Sequence, residues 1–324
     1  MKRRHFARLI AGTSLWPIAA QAQRNPEAPK VGYVNTGSNE FAAPRIGAIV
    51  DGLRASGFAP QQVELVVRVT DGDPTQMAPM IGDVMARNVT VFIANGPAVL
   101  QAVRAITRER PIVAIDLESD PVATGYIASI ARPGGNVTGV FLDFPNFAGK
   151  WIELLVECLP KLSRIALMWD PATGPVQVDA LTKTAAPLNL QTDLLEVKAP
   201  GDYAGAFAVA KDRDAGAAIM LSSPLVPASA KALAELSLRY KLPAITMFSE
   251  FPRTGGLLSY GPNLTASTRQ LGVLAGKVLS GTAPANLPIE RPTKFELVVN
   301  MRAAEALGLT IPASVQARAD EVIE

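Results

Sequence analysis

Val89-Thr90-Val91-Phe92-Ile93-Ala94-Asn95-Gly96-Pro97 is the stretch on which the fold turns. Its first six residues are apolar or β-branched almost without a break. A strand with one wet face would alternate, whereas a near-continuous run suits a strand covered on both faces inside a parallel sheet. Asn95-Gly96-Pro97 ends the run, and residues 99–107 then read as a helix. The same unit recurs on both sides. Residues 30–34 and 63–69 read as strands, with Ile46, Ile49, Val50 and Leu53 on one helical face between them and Gly57 as the stop. Residues 77–87 are helix-like, and residues 111–115 read as the next strand.

The rhythm restarts at residue 147. Trp151, Leu154, Leu155 and Leu159 form one helical stripe, and residues 165–169 follow as a strand closed by Asp170-Pro171. Further strands are expected at 190–197, 217–221, 243–246 and 257–260, with helices between. Two successive β-α-β-α blocks predict an α/β protein of two Rossmann-like lobes of similar size, each a parallel sheet flanked by helices. A chain of 324 residues is long enough for both.

In such sheets ligands bind at the carboxyl ends of the strands. Here those ends carry Asn35-Thr36-Gly37-Ser38-Asn39, Asn95-Gly96-Pro97, residues 116–121, Ser222-Ser223-Pro224 and Phe248-Ser249-Glu250. Each loop opens a following helix. Its hydroxyls and free N–H groups can therefore cap the helix or hold a ligand, and the residue types alone do not separate the two.

Composition removes several classes of function. Thirty-one Lys and Arg stand against 29 Asp and Glu, which is not the balance of a surface built to cover nucleic-acid phosphate. One histidine and one cysteine rule out Cys/His zinc clusters and a disulfide within the chain. Neither a Gly-x-Gly-x-x-Gly after the first strand nor a Gly-x-x-x-x-Gly-Lys-Ser/Thr is present, so no nucleotide cofactor is indicated. Gly-x-Ser-x-Gly is missing too. Asp116, Glu118 and Asp120 offer oxygen ligands for a divalent cation, but they share one loop and lack partner carboxylates at a recognisable spacing. Cys158 lies on the stripe of Leu155 and Leu159 and reads as a small core residue.

The amino terminus reads as an export signal over residues 1–22. A basic opening, Lys2-Arg3-Arg4-His5-Phe6-Ala7-Arg8, precedes a short apolar stretch and the cleavage pattern Ala20-Gln21-Ala22. Arg3-Arg4 also fits the twin-arginine route. Cleavage there removes four basic residues, no acid, and the only histidine. A mature chain without histidine runs no Ser-His-Asp or Cys-His mechanism and no histidine-ligated metal site.

Several segments together resemble one family. They are Arg132-Pro133-Gly134-Gly135-Asn136-Val137-Thr138-Gly139, then Ser259-Tyr260-Gly261-Pro262-Asn263, then Pro292-Thr293-Lys294-Phe295-Glu296-Leu297-Val298-Val299-Asn300, and the ending Arg318-Ala319-Asp320-Glu321-Val322-Ile323-Glu324. On these the chain resembles, over essentially its whole length, the ABC-transporter substrate-binding proteins of the tryptophan-binding-like, type I periplasmic-binding class. The resemblance implies a clamshell joined by three crossovers. Its lobes would be 29–142 plus 263–284 and 143–262 plus 285–324. It also implies a small-molecule ligand between the lobes, hinge closure, no cofactor, a monomer in the periplasm, and delivery to the membrane permease of an ABC importer. Ligand contacts carried over from the family are Ser38, Asn95, Pro97 and Asp120 from the first lobe, and Ser222, Ser223 and Glu250 from the second. Helix N-termini would hold a carboxylate, and Asp120 or Glu250 would answer an ammonium group. Members that bind aromatic amino acids carry a longer polar and aromatic pattern in the first loop than Asn35 to Phe41 does here. Two other readings share the fold: a sensor for a membrane signalling partner, and an exported enzyme with two convergent carboxylates in the cleft.

Overall fold

The computed structural model describes residues 28–36, 39–70 and 73–324. Residues 1–22, read above as an export signal, and Ser38 lie outside the described residues. The first body runs β1 (Lys30–Asn35), α1 (Asn39–Ala55), β2 (Glu64–Val69), α2 (Met77–Ala86), β3 (Val91–Asn95), α3 (Pro97–Ile106), β4 (Ile112–Asp116) and β5 (Val137–Phe141). Its five strands form one parallel sheet in the order β2-β1-β3-β4-β5.

The apolar run that opened the sequence is β3, and both of its faces are covered. Val91 and Ile93 join the core under α1, together with Val31, Tyr33, Val113 and Ile115. Phe92 and Ala94 point the other way, into a second core with Ile81, Val84, Val99, Leu100 and Val103 of α2 and α3. Period-two geometry sends alternate residues to two dry layers, so every position of the strand before the terminal Asn95 is apolar.

From β5 the chain enters a second body: α4 (Phe144–Cys158), β6 (Arg164–Trp169), α5 (Val176–Ala185), β7 (Gln191–Glu196), α6 (Asp202–Asp212), β8 (Ala217–Met220), α7 (Leu225–Ala228), α8 (Ala230–Arg239), β9 (Ala244–Thr246), α9 (Glu250–Arg253) and β10 (Leu258–Pro262). It then returns to the first body as α10 (Leu264–Leu279), which packs along α1 and over β3, β4 and β5. A third passage follows, on which Glu290 bridges Val140 of β5. The chain ends in the second sheet with β11 (Phe295–Asn300), α11 (Met301–Ala306), α12 (Ala313–Arg318) and β12 (Glu321–Ile323).

The second sheet has seven strands in the order β12-β11-β10-β9-β8-β6-β7. All neighbours are parallel except β10 and β11, where Leu258 faces Val299 and Tyr260 faces Leu297. The direction follows from the path. β10 leaves the sheet toward the first body at Pro262, and β11 re-enters from that side, so it must run back.

Strands β5, β11 and β12 were not apparent from alternation. Gly139 interrupts β5 in sequence, yet it sits mid-strand at φ +150°, where a Cβ would lie 1.9 Å from the Ala114 carbonyl oxygen of β4. Only glycine allows that approach. Cys158 is buried at the end of α4, and burial raises its thiol to about 11.

Candidate functional site

The strand-end loops of the two sheets face each other, and the two bodies touch there through polar side chains. The central contact runs from Ser222, after β8, to Glu118, after β4: the serine hydroxyl donates to Glu118 Oε1 at 2.6 Å. Both residues are buried. Ser222 is itself held rigidly by Gln177 of α5. Its N–H donates to Gln177 Oε1 at 2.7 Å, and its carbonyl accepts from Gln177 Nε2 at 2.9 Å. Ser223 donates its hydroxyl to Asp170 Oδ2 at 2.7 Å, and its oxygen accepts from the Leu225 N–H at the start of α7.

Replacing Gln177 by leucine keeps the volume but strands both backbone groups of Ser222 in a dry site. A loss of about 2–3 kcal/mol is expected, read as a lower urea midpoint at unchanged slope.

On the opposite loop Asp116 is fully buried. It accepts from the Glu118 and Ser119 N–H groups, each at 3.0 Å, and from the Ser119 hydroxyl. Burial nevertheless raises its carboxyl above the ordinary range. Glu118 accepts from the Leu117 N–H at 3.0 Å and hydrogen-bonds the Asp116 carboxylate. Two touching, buried carboxyls in one loop leave no space for a scissile bond between them, unlike the separated pair of a glycosidase. Among the described residues no group of three or more His, Cys, Asp and Glu could hold a metal ion.

Where α1 meets the loops after β9 and β10 lies a cavity of about 320 Å³, walled by both bodies; of the residues expected at the site only Glu250 lines it. Arg45 of α1 faces Glu250 across it, with an Nη2–Oε1 separation of 4.0 Å. Glu250 Oε2 is buried without a hydrogen-bond partner. Ser249, Asn263 and Thr265 add polar groups, and Met247 and Phe248 add apolar ones. Arg253 and Glu296 also reach the wall, and a volume at the lower end of the roughly 300–1,000 Å³ of small-molecule sites, with two basic and two acidic residues around it, suits a small polar ligand.

The structure thus places Ser222, Ser223 and Glu250 on the second body's face of the cleft, two of them buried. Asn95 ends β3 and Pro97 opens α3, both half-buried on the first body's side. Asp120 stands apart: it is exposed, and its Oδ1 accepts from the Val122 and Ala123 N–H groups of its own turn at 2.8 and 3.2 Å. The acid that reaches across is Glu118, two residues earlier. Arg45, Asp170 and Gln177 were not singled out in sequence. Arg45 and Gln177 lie inside helices, where nothing local marks a cleft-facing side chain, although Asp170 was legible as the turn after a strand.

A family model described as ABC transporter substrate binding protein matches residues 42–323, and the chain belongs to that family. The family is one of substrate-binding proteins, not of enzymes. A protein named tyrosine-binding protein from Clostridioides difficile is 24% identical over 224 residues, covering 68% of this chain; the match spans 63% of that relative's length. The structure of an ABC domain in complex with L-Trp from Streptococcus pneumoniae superposes with a TM-score of 0.83 at 23% identity, covering 91% of this chain and 99% of that one. A conserved domain protein from Vibrio cholerae gives 0.83 at 23% identity, covering 91% and 100%. A ligand-free, open substrate-binding protein from Clostridium difficile gives 0.68 at 20% identity, covering 91% and 99%. These likenesses fix the fold as that of type I periplasmic-binding proteins.

Proposed function

We propose that the protein is an exported solute receptor that closes on a small carboxylate-bearing molecule of the amino-acid class and hands it to the permease of an ABC importer. The carrying observation is the inter-body cavity in which Arg45 and Glu250 face each other. A guanidinium and a carboxylate with a buried, unpartnered oxygen match the two charged ends of a zwitterion. The names of two relatives, one tyrosine-binding and one solved with L-Trp, support the amino-acid class.

In this reading residues 29–142 plus 263–284 and 143–262 plus 285–324 are the moving lobes, and the three passages between the sheets are the hinge. The chain works as a monomer in the periplasm after export of residues 23–324, through the twin-arginine route that Arg3-Arg4 suits. Asn95 and Pro97 are the ligand contacts proposed from one jaw, and Ser222, Ser223 and Glu250 those from the other.

The test is a thermal-shift screen of the purified mature chain against amino acids, aromatic acids, nucleosides and sugars. Binding to the folded state alone raises Tm with concentration, by the equivalent of about 2.7 kcal/mol at a hundredfold excess over Kd. A saturable shift with one amino-acid group, weakened at least tenfold by Arg45→Ala or Glu250→Ala, is the expected result. A shift confined to sugars or nucleosides, or consumption of the compound, overturns the reading.

A further inference from the structure

The Glu118–Ser222 hydrogen bond joins two loops that must part when the lobes open. It is also where an acid is buried without a counter-charge among the described residues. Asp116 collects three donors from Glu118 and Ser119, an arrangement that favours its ionised form over that of its neighbour. Glu118 receives one N–H and one hydroxyl, and it lies against the Asp116 carboxylate. Burial first, and the Asp116 charge second, raise the Glu118 carboxyl to about 8.

The surroundings do not reverse this. From the first lobe the pair is faced by Ser119 and by Tyr126, whose own hydroxyl is raised by burial and by Asp116; Arg104 of α3 sits 6.0 Å from that ring's centre. From the second lobe come Ser222, the Gln177 amide behind it, and Asp170, which Ser223 bonds and which lies near Tyr203. No cation among these acts on Glu118.

We propose that this contact is a proton-dependent latch: closure of the lobes takes up one proton on Glu118, so the closed form is favoured at low pH and gives way as pH rises. The proposal rests on the receptor reading only in requiring that the lobes move; it is independent of which ligand binds.

The balance is simple. In the open form water reaches Glu118 while Asp116 stays beside it in the same loop, so its carboxyl gives up its proton more readily than in the closed form. Closure replaces that water with Ser222 and the second lobe, and the charged form loses its solvation. One proton passes from solvent to Glu118, where it is shared with the Asp116 carboxylate; no bond to carbon changes. A group whose affinity for protons is raised in the closed state stabilises that state fully below its open-state value, and the effect is lost as pH climbs to its closed-state value. Between the open-state value and about pH 8 the closed-to-open ratio should therefore fall with pH, by at most about tenfold per unit, and flatten outside that window.

Small-angle X-ray scattering of the ligand-free protein from pH 5 to 9 reads the closed fraction without any ligand. A failure here leaves the receptor reading standing, and an empty ligand screen leaves the latch standing. The radius of gyration should rise with pH in the wild type. Glu118→Gln has no proton to gain, can still accept from Ser222 and donate to Asp116, and should stay closed across the range. Ser222→Ala removes the cross-lobe hydroxyl and should move the transition to lower pH. A flat wild-type curve, or a Glu118→Gln curve that follows the wild type, overturns the latch. Should Glu118→Gln fail to give a cooperative melt, Ser222→Ala decides, and an unshifted curve overturns it.

Discussion

Replacing Gly272 by leucine should remove the protein from the soluble fraction, or leave it with its denaturant midpoint lowered by more than about 4 kcal/mol in stability. α1 and α10 cross with glycine against glycine. A Cβ on Gly272 would lie 2.3 Å from the Ile49 carbonyl oxygen and 2.9 Å from Gly52 Cα, and one on Gly52 would meet the Arg269 carbonyl oxygen at 2.2 Å. Overpacking in a core commonly costs about 1–3 kcal/mol because side chains yield. Here the obstacle is main chain on both sides, so the helices themselves must separate. Leu53, Leu271 and Leu274, now buried in the shared core, would be uncovered with them. Gly47, on α1, is the control. Nothing lies within 4 Å of a Cβ there, and alanine should stabilise the exposed helical position by about 0.5–1 kcal/mol. Equal losses at both sites, measured by guanidinium denaturation, would contradict the close-crossing account.

Trp151→Ala is the second large effect expected. The indole is fully buried on α4, edge-on to Phe144 and Phe147 at centroid distances of 5.6 and 5.2 Å. Its Nε1 donates to the Tyr260 carbonyl oxygen at 2.7 Å, tying α4 to β10. Phe147 stacks in turn on Tyr260 and Phe295, at 5.5 and 5.8 Å. Deleting so large a ring from a packed cluster costs about 3–5 kcal/mol, and the lost donor pushes the value to the top of that range. The fall in Tm should be about 10 °C. Trp151→Phe keeps most of the packing and loses the hydrogen bond, so it should fall by well under half as much. A Trp151→Ala protein melting within 2–3 °C of wild type would mean that the cluster does not hold these elements together.

The legible part of the fold was the part whose physics is local. β3 and β4 are apolar up to their last residues, Asn95 and Asp116, because both faces are dry, and that is visible in one stretch of sequence. The stripe of Trp151, Leu154 and Leu155 is equally plain. β5 was hidden because its middle residue is a glycine required by a neighbour distant in sequence, Ala114. β11 was hidden because a strand pairing with β10 after an excursion through another body has no turn signal beside it, and β12 because it is only three residues long and pairs with β11 alone.

The segments that carried the family resemblance prove to be largely structural. Asn136 links α3 to the start of β4, accepting from Arg104 Nη1 and donating to the Arg110 carbonyl, each at 2.7 Å. Thr138 donates to the Leu287 carbonyl at 2.9 Å, and Asn263 caps α10 through the Ala266 N–H. The family motifs therefore mark packing and the passages between the two bodies rather than the strand-end loops. The strand-end loops could be found from the alternation of elements, and Ser222, Ser223 and Glu250 followed from them. Glu118 was indistinguishable from Asp120 in sequence: both are acids in one loop, and only the backbone path turns one inward and the other into its own turn.

The sole thiol of the chain, Cys158, has a practical corollary for fluorescence work. With its proton held to about pH 11 and its sulfur inside the core, the native group is about ten-thousand-fold short of thiolate at pH 7 and closed to a maleimide dye. A single cysteine introduced on the rim of the cleft would therefore take the label alone, with no need to strip the wild-type sequence first. Opening and closing could then be followed as a colour change in the intact protein, which makes the chain a convenient scaffold for an optical reporter of its own ligand.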